Sequence, residues 1–329
     1  MMDDYEKNII DFGKQLSEKN ITGFNLEKLS GAHPDGIVII SMGGSGLAGE
    51  IIRSTKKEIG LNLPVIIWKD YGLPEHDFKR PFYIFASFSG NTEETLSGFE
   101  NILKSGKKCI MAAVTTGGRL KKLAEIKNIP FVYFEAGHLP PRQSAGMMFY
   151  GLTKLLKSTG LNIKVKDYSD KIKPAKLKPK GKKLAALLNQ RIVTIYTDEQ
   201  ERYLGYLWKI KINETAKTLA FNNVLPEMNH NEIVGFECNK FKTASIFLKS
   251  SSNPRTEKRF GLTQKLLKEK GVRVVELKFG RKAELEKAWE TLILADWTSY
   301  FLGKANGISK EEFNIANPKI VASLKRLMR

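Results

Sequence analysis

Five short apolar runs, separated by longer segments, restrict the fold of this chain more than any other feature of its sequence. They cover residues 36–41, 64–68, 82–86, 108–113 and 130–134. The runs are predominantly apolar rather than alternating, which is typical of parallel strands that helices cover on both faces. The segments between them are long enough to hold crossover helices. The first half of the chain is therefore predicted to form a doubly wound α/β domain with a mainly parallel sheet.

The second half repeats this organisation after a lysine-rich stretch. Strands are predicted at 191–196, 243–248 and 271–278, and helices at 201–217, 256–270 and 282–304. A chain of 329 residues is expected to form two domains of roughly 150 residues each. We predict an N-terminal domain over residues 1–157, a lysine-rich connector over 158–183, and a C-terminal domain over 184–329 that is a diverged structural repeat of the first.

The chain is strongly basic, with 54 Lys and Arg against 35 Asp and Glu and a formal net charge of +19. Between Leu161 and Lys183 there are nine lysines and two aspartates, interrupted by Pro174 and Pro179. Such a run is typical of a solvated connector. Because no zinc-finger spacing or aromatic RNA-binding motif accompanies the charge, nucleic acid is not an expected partner. A positive field also attracts anionic substrates.

The sequence gives no indication of a membrane, a signal peptide or a metal site. No apolar run approaches the ~20 residues that cross a bilayer, and the first residues, MMDDYE, are acidic. We therefore expect a cytoplasmic protein. Cys109 and Cys238 lack metal-ligand spacing, and we interpret both as structural or incidental.

Hydroxyl side chains follow the first and the third of the predicted strands, in GGSG at 43–46 and SFSGNT at 87–92. Ligands of doubly wound sheets bind at the carboxyl ends of the strands, and a helix that starts there offers unpaired N–H groups and a favourable dipole to an anion. Both loops together suit one compact phosphate. The residues of this candidate phosphate site are Gly44, Ser45, Ser87, Ser89 and Thr92.

Other interpretations of these loops stay open on the residues alone. Residues 44–49 satisfy GxGxxG, and Asp70 lies where an acidic residue would hold a ribose, so a dinucleotide-binding dehydrogenase is an alternative. Ser89 or Asn91 is also compatible with a simple helix N-cap. The P-loop pattern is absent from the sequence, which disfavours a nucleoside triphosphate at this position.

The two loops, together with PPRQSA at 140–145, NETAK at 213–217 and PEMNHNE at 226–232, resemble the bifunctional phosphoglucose/phosphomannose isomerases. These enzymes consist of two sugar isomerase (SIS) domains, and the resemblance covers nearly the whole chain. It implies an aldose–ketose isomerase that interconverts glucose 6-phosphate, and mannose 6-phosphate, with fructose 6-phosphate through a cis-enediol(ate). It implies no metal or redox cofactor, and a homodimer in which the histidine comes from the neighbouring subunit.

The resemblance also implies a role for each candidate residue. Glu214 is the base, His230 opens the sugar ring, and Arg142 stabilises the intermediate. Lys304 reaches the site from the last long helix, and Thr298 is associated with acceptance of both C2 epimers. The chemistry agrees, because one carboxylate can move a proton between adjacent carbons while a permanently charged arginine offsets the enediolate charge. A histidine that titrates near neutrality suits ring opening.

Without the resemblance, other roles for these side chains stay open. Glu214 can pair with Lys211 or Lys217 on a solvated helix face, and Glu227 and Glu232 lie closer to the histidine in the sequence. The arginine is compatible with a plain salt bridge. The lysine at the end of the last long helix is compatible with a charge that opposes the helix dipole.

Two further functions remain as alternatives to the isomerase. One is a non-catalytic SIS-type regulator that binds a sugar phosphate, and the other is the NAD-dependent dehydrogenase suggested by the glycine pattern. The isomerase half of glucosamine-6-phosphate synthase is not favoured, because the sequence has no N-terminal cysteine nucleophile.

Overall fold

The computed structural model of the protein describes residues 2–106, 109–135, 137–238, 240–249, 253–280, 282–315 and 318–328. The chain divides into two compact units. The N-terminal unit comprises residues 11–171, and the C-terminal unit comprises residues 1–10 and 172–329. Helix α1 (Asp4–Ile10) opens the chain and belongs to the C-terminal unit.

A six-stranded sheet forms the centre of the N-terminal unit. Its strands are β1 (Thr22–Phe24), β2 (Gly36–Ile40), β3 (Val65–Trp68), β4 (Pro81–Ser87), β5 (Ile110–Thr115) and β6 (Phe131–Tyr133). They lie in the order β1-β6-β5-β4-β2-β3, and every neighbouring pair is parallel except β1 with β6. The five predicted parallel strands are confirmed. Strand β1 is not predicted, because three residues are too few to show a periodic pattern.

Helices cover both faces of this sheet, which explains its predominantly apolar strands. They are α2 (Gly43–Thr55), α3 (Glu93–Ser105), α4 (Gly118–Ile126) and α5 (Ala145–Ser158). On one face, Phe99 of α3 and Leu120 of α4 share a core cluster with strand residues. On the other face the helices approach so closely that a Cβ at Gly49 of α2 would lie 3.0 Å from the Ile67 side chain. The predicted doubly wound arrangement is therefore confirmed for this unit.

A four-stranded parallel sheet forms the centre of the C-terminal unit. Its strands are β7 (Ile192–Asp198), β8 (Ala220–Leu225), β9 (Thr243–Lys249) and β10 (Arg273–Lys278). They lie in the order β10-β9-β7-β8. Strands β7, β9 and β10 were predicted, whereas β8 was not, because Asn222 and Asn223 interrupt its apolar pattern.

The helices of the C-terminal unit are α6 (Pro174–Leu188), α7 (Arg202–Ala216), α8 (Pro254–Glu269), α9 (Glu284–Ala305), α10 (Lys310–Asn314) and α11 (Lys319–Leu327). The helices predicted at 201–217, 256–270 and 282–304 correspond to α7, α8 and α9. Part of the stretch interpreted as a connector, residues 174–183, is helical in α6. This helix packs along α9, and a Cβ at Gly181 would lie 3.1 Å from the backbone nitrogen of Thr298.

Helix α1 is held in the C-terminal unit by Tyr5. This tyrosine is fully buried, and its ring stacks on Tyr300 of α9 with the ring centroids 5.9 Å apart. Its hydroxyl lies 2.9 Å from the hydroxyl of Thr215 in the last turn of α7. The first helix of the chain therefore supports the ends of α7 and α9.

Candidate active site

The glycine-rich turn joins β2 to α2 in the N-terminal unit, and Gly44, Ser45 and Gly46 lie in the first turn of the helix. A Cβ at Gly44 would lie 3.0 Å from the carbonyl oxygen of Pro141 and 3.2 Å from the Cα of Arg142. A Cβ at this position would push the 141–142 segment away by a few tenths of an ångström, so a glycine favours this close approach. The turn thus places the backbone of Arg142 beside the start of α2.

Arg142 lies in a short 3₁₀ turn, Pro141–Gln143, whose backbone is held on both sides. The Ser144 hydroxyl donates to the Pro141 carbonyl oxygen at 2.7 Å, and the Gln15 amide donates to the Gln143 carbonyl oxygen at 2.9 Å. The arginine is only 3% exposed. A guanidinium that keeps its charge inside the unit is a fixed electrophilic group, not a mobile surface charge.

The second loop follows β4, and its hydroxyls interact with one another. The Ser87 and Thr92 hydroxyl oxygens are 2.8 Å apart, and the Ser87 oxygen also accepts the Gly90 N–H at 3.1 Å. The Ser89 hydroxyl accepts the Asn91 N–H at 3.2 Å. One of the Ser87 and Thr92 hydroxyls donates to the other. The second hydroxyl of this pair and the Ser89 hydroxyl each keep a proton that can be donated to a phosphate oxygen.

Ser45 connects the two loops. Its hydroxyl oxygen accepts the backbone N–H of Phe88 at 3.0 Å, so the start of α2 is tied to the loop that precedes α3. Strands β2 and β4 are neighbours, and the chain leaves β2 for β3 on one side and β4 for β5 on the other. This is the topological switch point of the sheet, where doubly wound proteins bind their ligands.

The starts of both helices bear the properties of an anion site. The N-caps of α2 and α3 are Met42 and Thr92, and within the described part of the chain neither makes a side-chain capping hydrogen bond. The alternative in which Ser89 or Asn91 caps α3 therefore does not describe this helix. N–H groups in the first turn of such helices remain available to a bound anion, which the helix dipoles attract.

A third loop, at residues 115–118, contacts the second loop and was not predicted from the sequence. A Cβ at Gly90, whose φ is 65°, would collide with the carbonyl oxygen of Gly117. The Thr116 N–H donates to the Phe88 carbonyl oxygen at 3.0 Å, and the Asn91 side chain accepts the Arg119 N–H at 3.0 Å. The sequence signal was the TTGG at 115–118, which begins with the last residue of β5. Its backbone fixes the shape of the hydroxyl loop.

The remaining candidate residues lie in the C-terminal unit. Glu214 is half-buried in the last turn of α7. The Lys217 ammonium donates to the Glu214 carbonyl oxygen at 2.7 Å, and the Asn306 amide donates to the Ala216 carbonyl oxygen at 2.7 Å. The Lys211 ammonium lies 2.7 Å from the Asp296 carboxylate. The two hydrogen bonds satisfy carbonyl groups at the end of the helix and hold the backbone of Glu214 in place, and the ion pair joins α7 to α9.

Lys304 lies in the last turn of α9, and its ammonium is 3.4 Å from the Tyr300 hydroxyl. Together with Glu6, Lys178 and Lys182 it lines a cavity of about 420 Å³. A Cβ at Gly303 would lie 3.0 Å from the Thr215 carbonyl oxygen, so the ends of α7 and α9 are in close contact. The structure thus brings the segments that carry Glu214 and Lys304 together.

Thr298 is fully buried where α9 packs on α6, and its hydroxyl donates to the Leu294 carbonyl oxygen at 2.7 Å. A serine or threonine hydroxyl that bonds back to its own helix in this way satisfies itself. The Thr298 hydroxyl is therefore satisfied within α9 and not by another candidate residue.

His230 ends a 3₁₀ turn, Glu227–His230, that follows β8, and it is exposed. Glu214 lies at the other end of that strand, because the side chain of its neighbour Asn213 bonds to the backbone N–H of Ala220 at 2.8 Å. The five steps between the six residues of β8, at about 3.3 Å each, separate the two ends by roughly 17 Å. Within one chain, the structure does not bring the candidate base and the candidate histidine together.

The carboxylates that compete with Glu214 for the role of base are engaged elsewhere. Glu232 accepts the Tyr196 hydroxyl at 2.6 Å and the Asn223 amide at 2.7 Å, and Glu227 accepts the Asn231 amide at 2.7 Å. Burial raises the pKa of Tyr196, and the Glu232 carboxylate raises it further, so the tyrosine stays a donor. Glu232 therefore serves as a structural acceptor in this loop.

The described residues contain no group of three or more His, Cys, Asp and Glu side chains arranged to hold a metal ion. Of the helices in this part of the chain, none combines the length and the apolar character that crossing a membrane requires.

Comparison with known proteins gives one consistent family. Residues 177–325 match the model of the bacterial phospho-glucose isomerase C-terminal SIS domain. A bifunctional phosphoglucose/phosphomannose isomerase of Aquifex aeolicus is 32% identical over 279 residues, which cover 83% of this chain and 85% of that protein. Several further relatives bear the same name.

Two other similarities extend this comparison. A Sulfolobus acidocaldarius protein named D-glucosamine-6-phosphate 4-epimerase is 32% identical over 60% of this chain and 62% of its own length. The crystal structure of tagatose-6-phosphate ketose/aldose isomerase from Escherichia coli superimposes with a TM-score of 0.68 at 15% identity, covering 96% of each chain. At that identity the superposition confirms the predicted fold alone.

Proposed function

Because this chain belongs to the family of bifunctional phosphoglucose/phosphomannose isomerases, we propose that it interconverts glucose 6-phosphate with fructose 6-phosphate and also accepts mannose 6-phosphate. One observation carries the proposal: two helix starts without side-chain caps, lined by hydroxyls, meet at the switch point of the N-terminal sheet. A phosphate dianion satisfies these donors. In the proposal, the groups that hold it are the backbone N–H of Gly44 and the hydroxyls of Ser45, Ser87, Ser89 and Thr92.

Glu214 is the base of the proposed reaction. Its carboxylate removes the proton from C2 of the open-chain aldose, and the electron pair of that C–H bond forms the C1–C2 double bond of a cis-enediolate. The same carboxyl group returns the proton to C1, while the hydroxyl proton passes from O2 to O1. Atoms and charge balance without a cofactor, and a single acid–base group suffices.

Positive charge offsets the negative charge that develops on the enediolate oxygens. We assign this role to Arg142, because its guanidinium is almost completely buried and cannot lose its proton. Lys304 adds a second cation and acts on the sugar hydroxyls. We assign no sugar contact to Thr298, since its hydroxyl is buried and bonded to its own helix. Its part in epimer tolerance would be to fix the packing of α9 on α6.

His230 is proposed to open the sugar ring in the active site of a neighbouring subunit. The separation of roughly 17 Å between the ends of β8 favours two different sites for Glu214 and His230. Helix α11 supports a homodimer as well, because none of its described residues is buried and its apolar side chains Ile320 and Leu327 are 80% and 83% exposed. A second copy of this chain is the partner that the proposal needs. We expect this enzyme to act on cytoplasmic hexose phosphates.

The test is a coupled assay of the purified protein with glucose 6-phosphate, mannose 6-phosphate and fructose 6-phosphate offered separately. Glucosamine 6-phosphate serves as the control substrate, because one relative is named as its 4-epimerase. Formation of fructose 6-phosphate from both aldoses supports the proposal. Binding of the hexose phosphates without turnover would instead identify a sugar-phosphate-binding regulator, and a requirement for NAD would identify a dehydrogenase.

A further inference from the structure

The lining of a second cavity in the C-terminal unit includes none of the residues assigned a catalytic or phosphate-binding role above. It has a volume of about 730 Å³ and opens at the amino ends of β7, β8 and β9. Its lining comes from residues 190–192, 217–219 and 240–242, with Asn306 and Ile308 from the segment after α9. A cavity of this size lies within the range of about 300–1,000 Å³ that is typical of small-molecule sites.

The lining of this cavity is cationic. Arg191, Lys217, Lys240 and Lys242 all contribute to it, and its described lining contains no carboxylate. Within the described chain, no ion pair involves Arg191, Lys240 or Lys242. Four like charges around one space repel one another, and a polyanion bound among them relieves that repulsion.

Two apolar side chains stand beside these charges. Phe241 and Leu219 line the same cavity, and they are 70% and 66% exposed. Phe241 lies between Lys240 and Lys242, so an aromatic ring and two ammonium groups come from three consecutive residues. Inorganic phosphate can interact only with the cationic side chains. A ligand that interacts with both the cationic and the apolar side chains carries several negative charges and a flat apolar group.

We propose that this cavity binds a nucleoside polyphosphate. The phosphate chain interacts with Arg191, Lys240 and Lys242, and the base stacks on Phe241 against Leu219. A base needs only a π-face for such stacking, so no base-specific group has to be present. The proposed binding is independent of the isomerase activity.

The cavity is connected to the candidate base through Lys217. This lysine lines the cavity, and its ammonium donates to the backbone carbonyl oxygen of Glu214 at 2.7 Å. Asn306, another lining residue, bonds to the carbonyl oxygen of Ala216 at 2.7 Å and to the Thr218 hydroxyl at 2.9 Å. A bound polyanion competes with the Glu214 carbonyl oxygen for the Lys217 ammonium. Its binding therefore weakens a hydrogen bond that holds the end of α7. This consequence, unlike the binding itself, rests on the proposed function of Glu214.

Titration calorimetry of the full chain with ATP, tripolyphosphate and adenosine, in EDTA and constant salt, tests the site. We expect ATP to bind about tenfold more tightly than tripolyphosphate, because stacking adds to charge. The double variant Lys240→Ala/Lys242→Ala should weaken ATP binding by about tenfold or more. Phe241→Ala should remove the preference for ATP over tripolyphosphate. The matched control is Lys122→Ala/Lys127→Ala, which removes the same charge from exposed positions in the N-terminal unit and should bind ATP as the wild type does.

Three results would overturn the proposal: absence of ATP binding, equal affinity for ATP and tripolyphosphate in the wild type, or an equal loss of affinity in the control variant. The isomerase assay then tests the coupling to Glu214 separately. Saturating ATP should change kcat/KM by about fivefold in the wild type and leave the Lys240→Ala/Lys242→Ala variant unaffected. An unchanged kcat/KM in the wild type would refute the coupling, and an inactive protein that binds ATP would refute only the proposed isomerase function.

Discussion

The ammonium of Lys211 on α7 lies 2.7 Å from the carboxylate of Asp296 on α9, and both side chains are buried. A charge removed from water in this way is tolerated only beside its partner. The pair joins the two helices whose last turns carry Glu214 and Lys304. The pair therefore links the two helices that carry the candidate catalytic groups of the C-terminal unit.

Removal of one member of this pair should be costly. We expect Asp296→Asn to lower the free energy of unfolding by about 3–5 kcal/mol, because it leaves the Lys211 charge buried without its counter-ion. The double variant Lys211→Met/Asp296→Leu should be much closer to the wild type, since it removes both charges. Urea denaturation measures the two values. A loss below about 1 kcal/mol in Asp296→Asn would show that water reaches the pair.

A second buried pair gives a pH dependence. Burial acts to lower the pKa of Lys287, but the Glu201 carboxylate, with Glu284, outweighs it and holds this pKa above the usual value of 10.5. Because the pKa of Lys287 is higher in the folded than in the unfolded state, its charge stabilises the fold at pH values below the unfolded-state pKa. This stabilisation is lost as the pH rises through the folded-state pKa. The stability difference between the wild type and Lys287→Met should therefore be constant from about pH 7 to 9 and shrink above about pH 10.5. Denaturation at a series of pH values measures it, and a constant difference up to about pH 11 would contradict the role of the pair.

The phosphate site predicts a binding defect for Ser45→Ala. The substitution removes a hydroxyl that links the two loops through the Phe88 N–H and that is assigned to the substrate phosphate. We expect KM for fructose 6-phosphate to rise by about tenfold with little change in kcat, because the phosphate contact is the same in the ground and transition states. Ser158→Ala is the matched control, since that hydroxyl bonds only within α5 in the described contacts. An unchanged KM in Ser45→Ala would remove this residue from the site.

The proposed exchange of His230 between subunits can be tested with mixed dimers. Glu214→Gln and His230→Ala chains are expressed together with different affinity tags, and the dimers that carry both tags are isolated. If each site takes its glutamate from one chain and its histidine from the other, one of the two sites is intact and the mixed dimer should have about half of the wild-type activity. If both residues act within one chain, every site lacks one of them, and the mixed dimer should be as inactive as its parents.

Much of the fold was predictable because the strands of a doubly wound sheet are buried on both faces and appear as apolar runs. Strand β8 was missed because its two asparagines, Asn222 and Asn223, interrupt the apolar run. The Asn223 side chain donates a hydrogen bond to the Glu232 carboxylate and does not pack in a core. Helix α6 was interpreted as part of a connector because of its lysines and Pro179. Its packing on α9, through residues such as Gly181, is a tertiary effect that local sequence does not reveal.

The position of some candidate site residues in the fold was predictable for similar reasons. Hydroxyls that follow an apolar run indicate the carboxyl end of a strand, so the positions of Ser45 and Ser87 at such ends could be predicted from local sequence. The contact of Gly44 with Pro141 could not, because nearly a hundred residues separate them. The distance between Glu214 and His230 could not be predicted either, because it depends on strand β8, which lies between them and was not predicted.

The measurement that tests the central claim most directly is the activity of Glu214→Gln with fructose 6-phosphate, followed by the formation of glucose 6-phosphate. Since one carboxylate carries both proton transfers in this account, kcat should fall by about a thousandfold or more while KM stays within about threefold of the wild type. Glu269→Gln, an exposed change at the end of α8, should retain full activity. A Glu214→Gln protein whose kcat remains within about tenfold of the wild type would show that another group is the base.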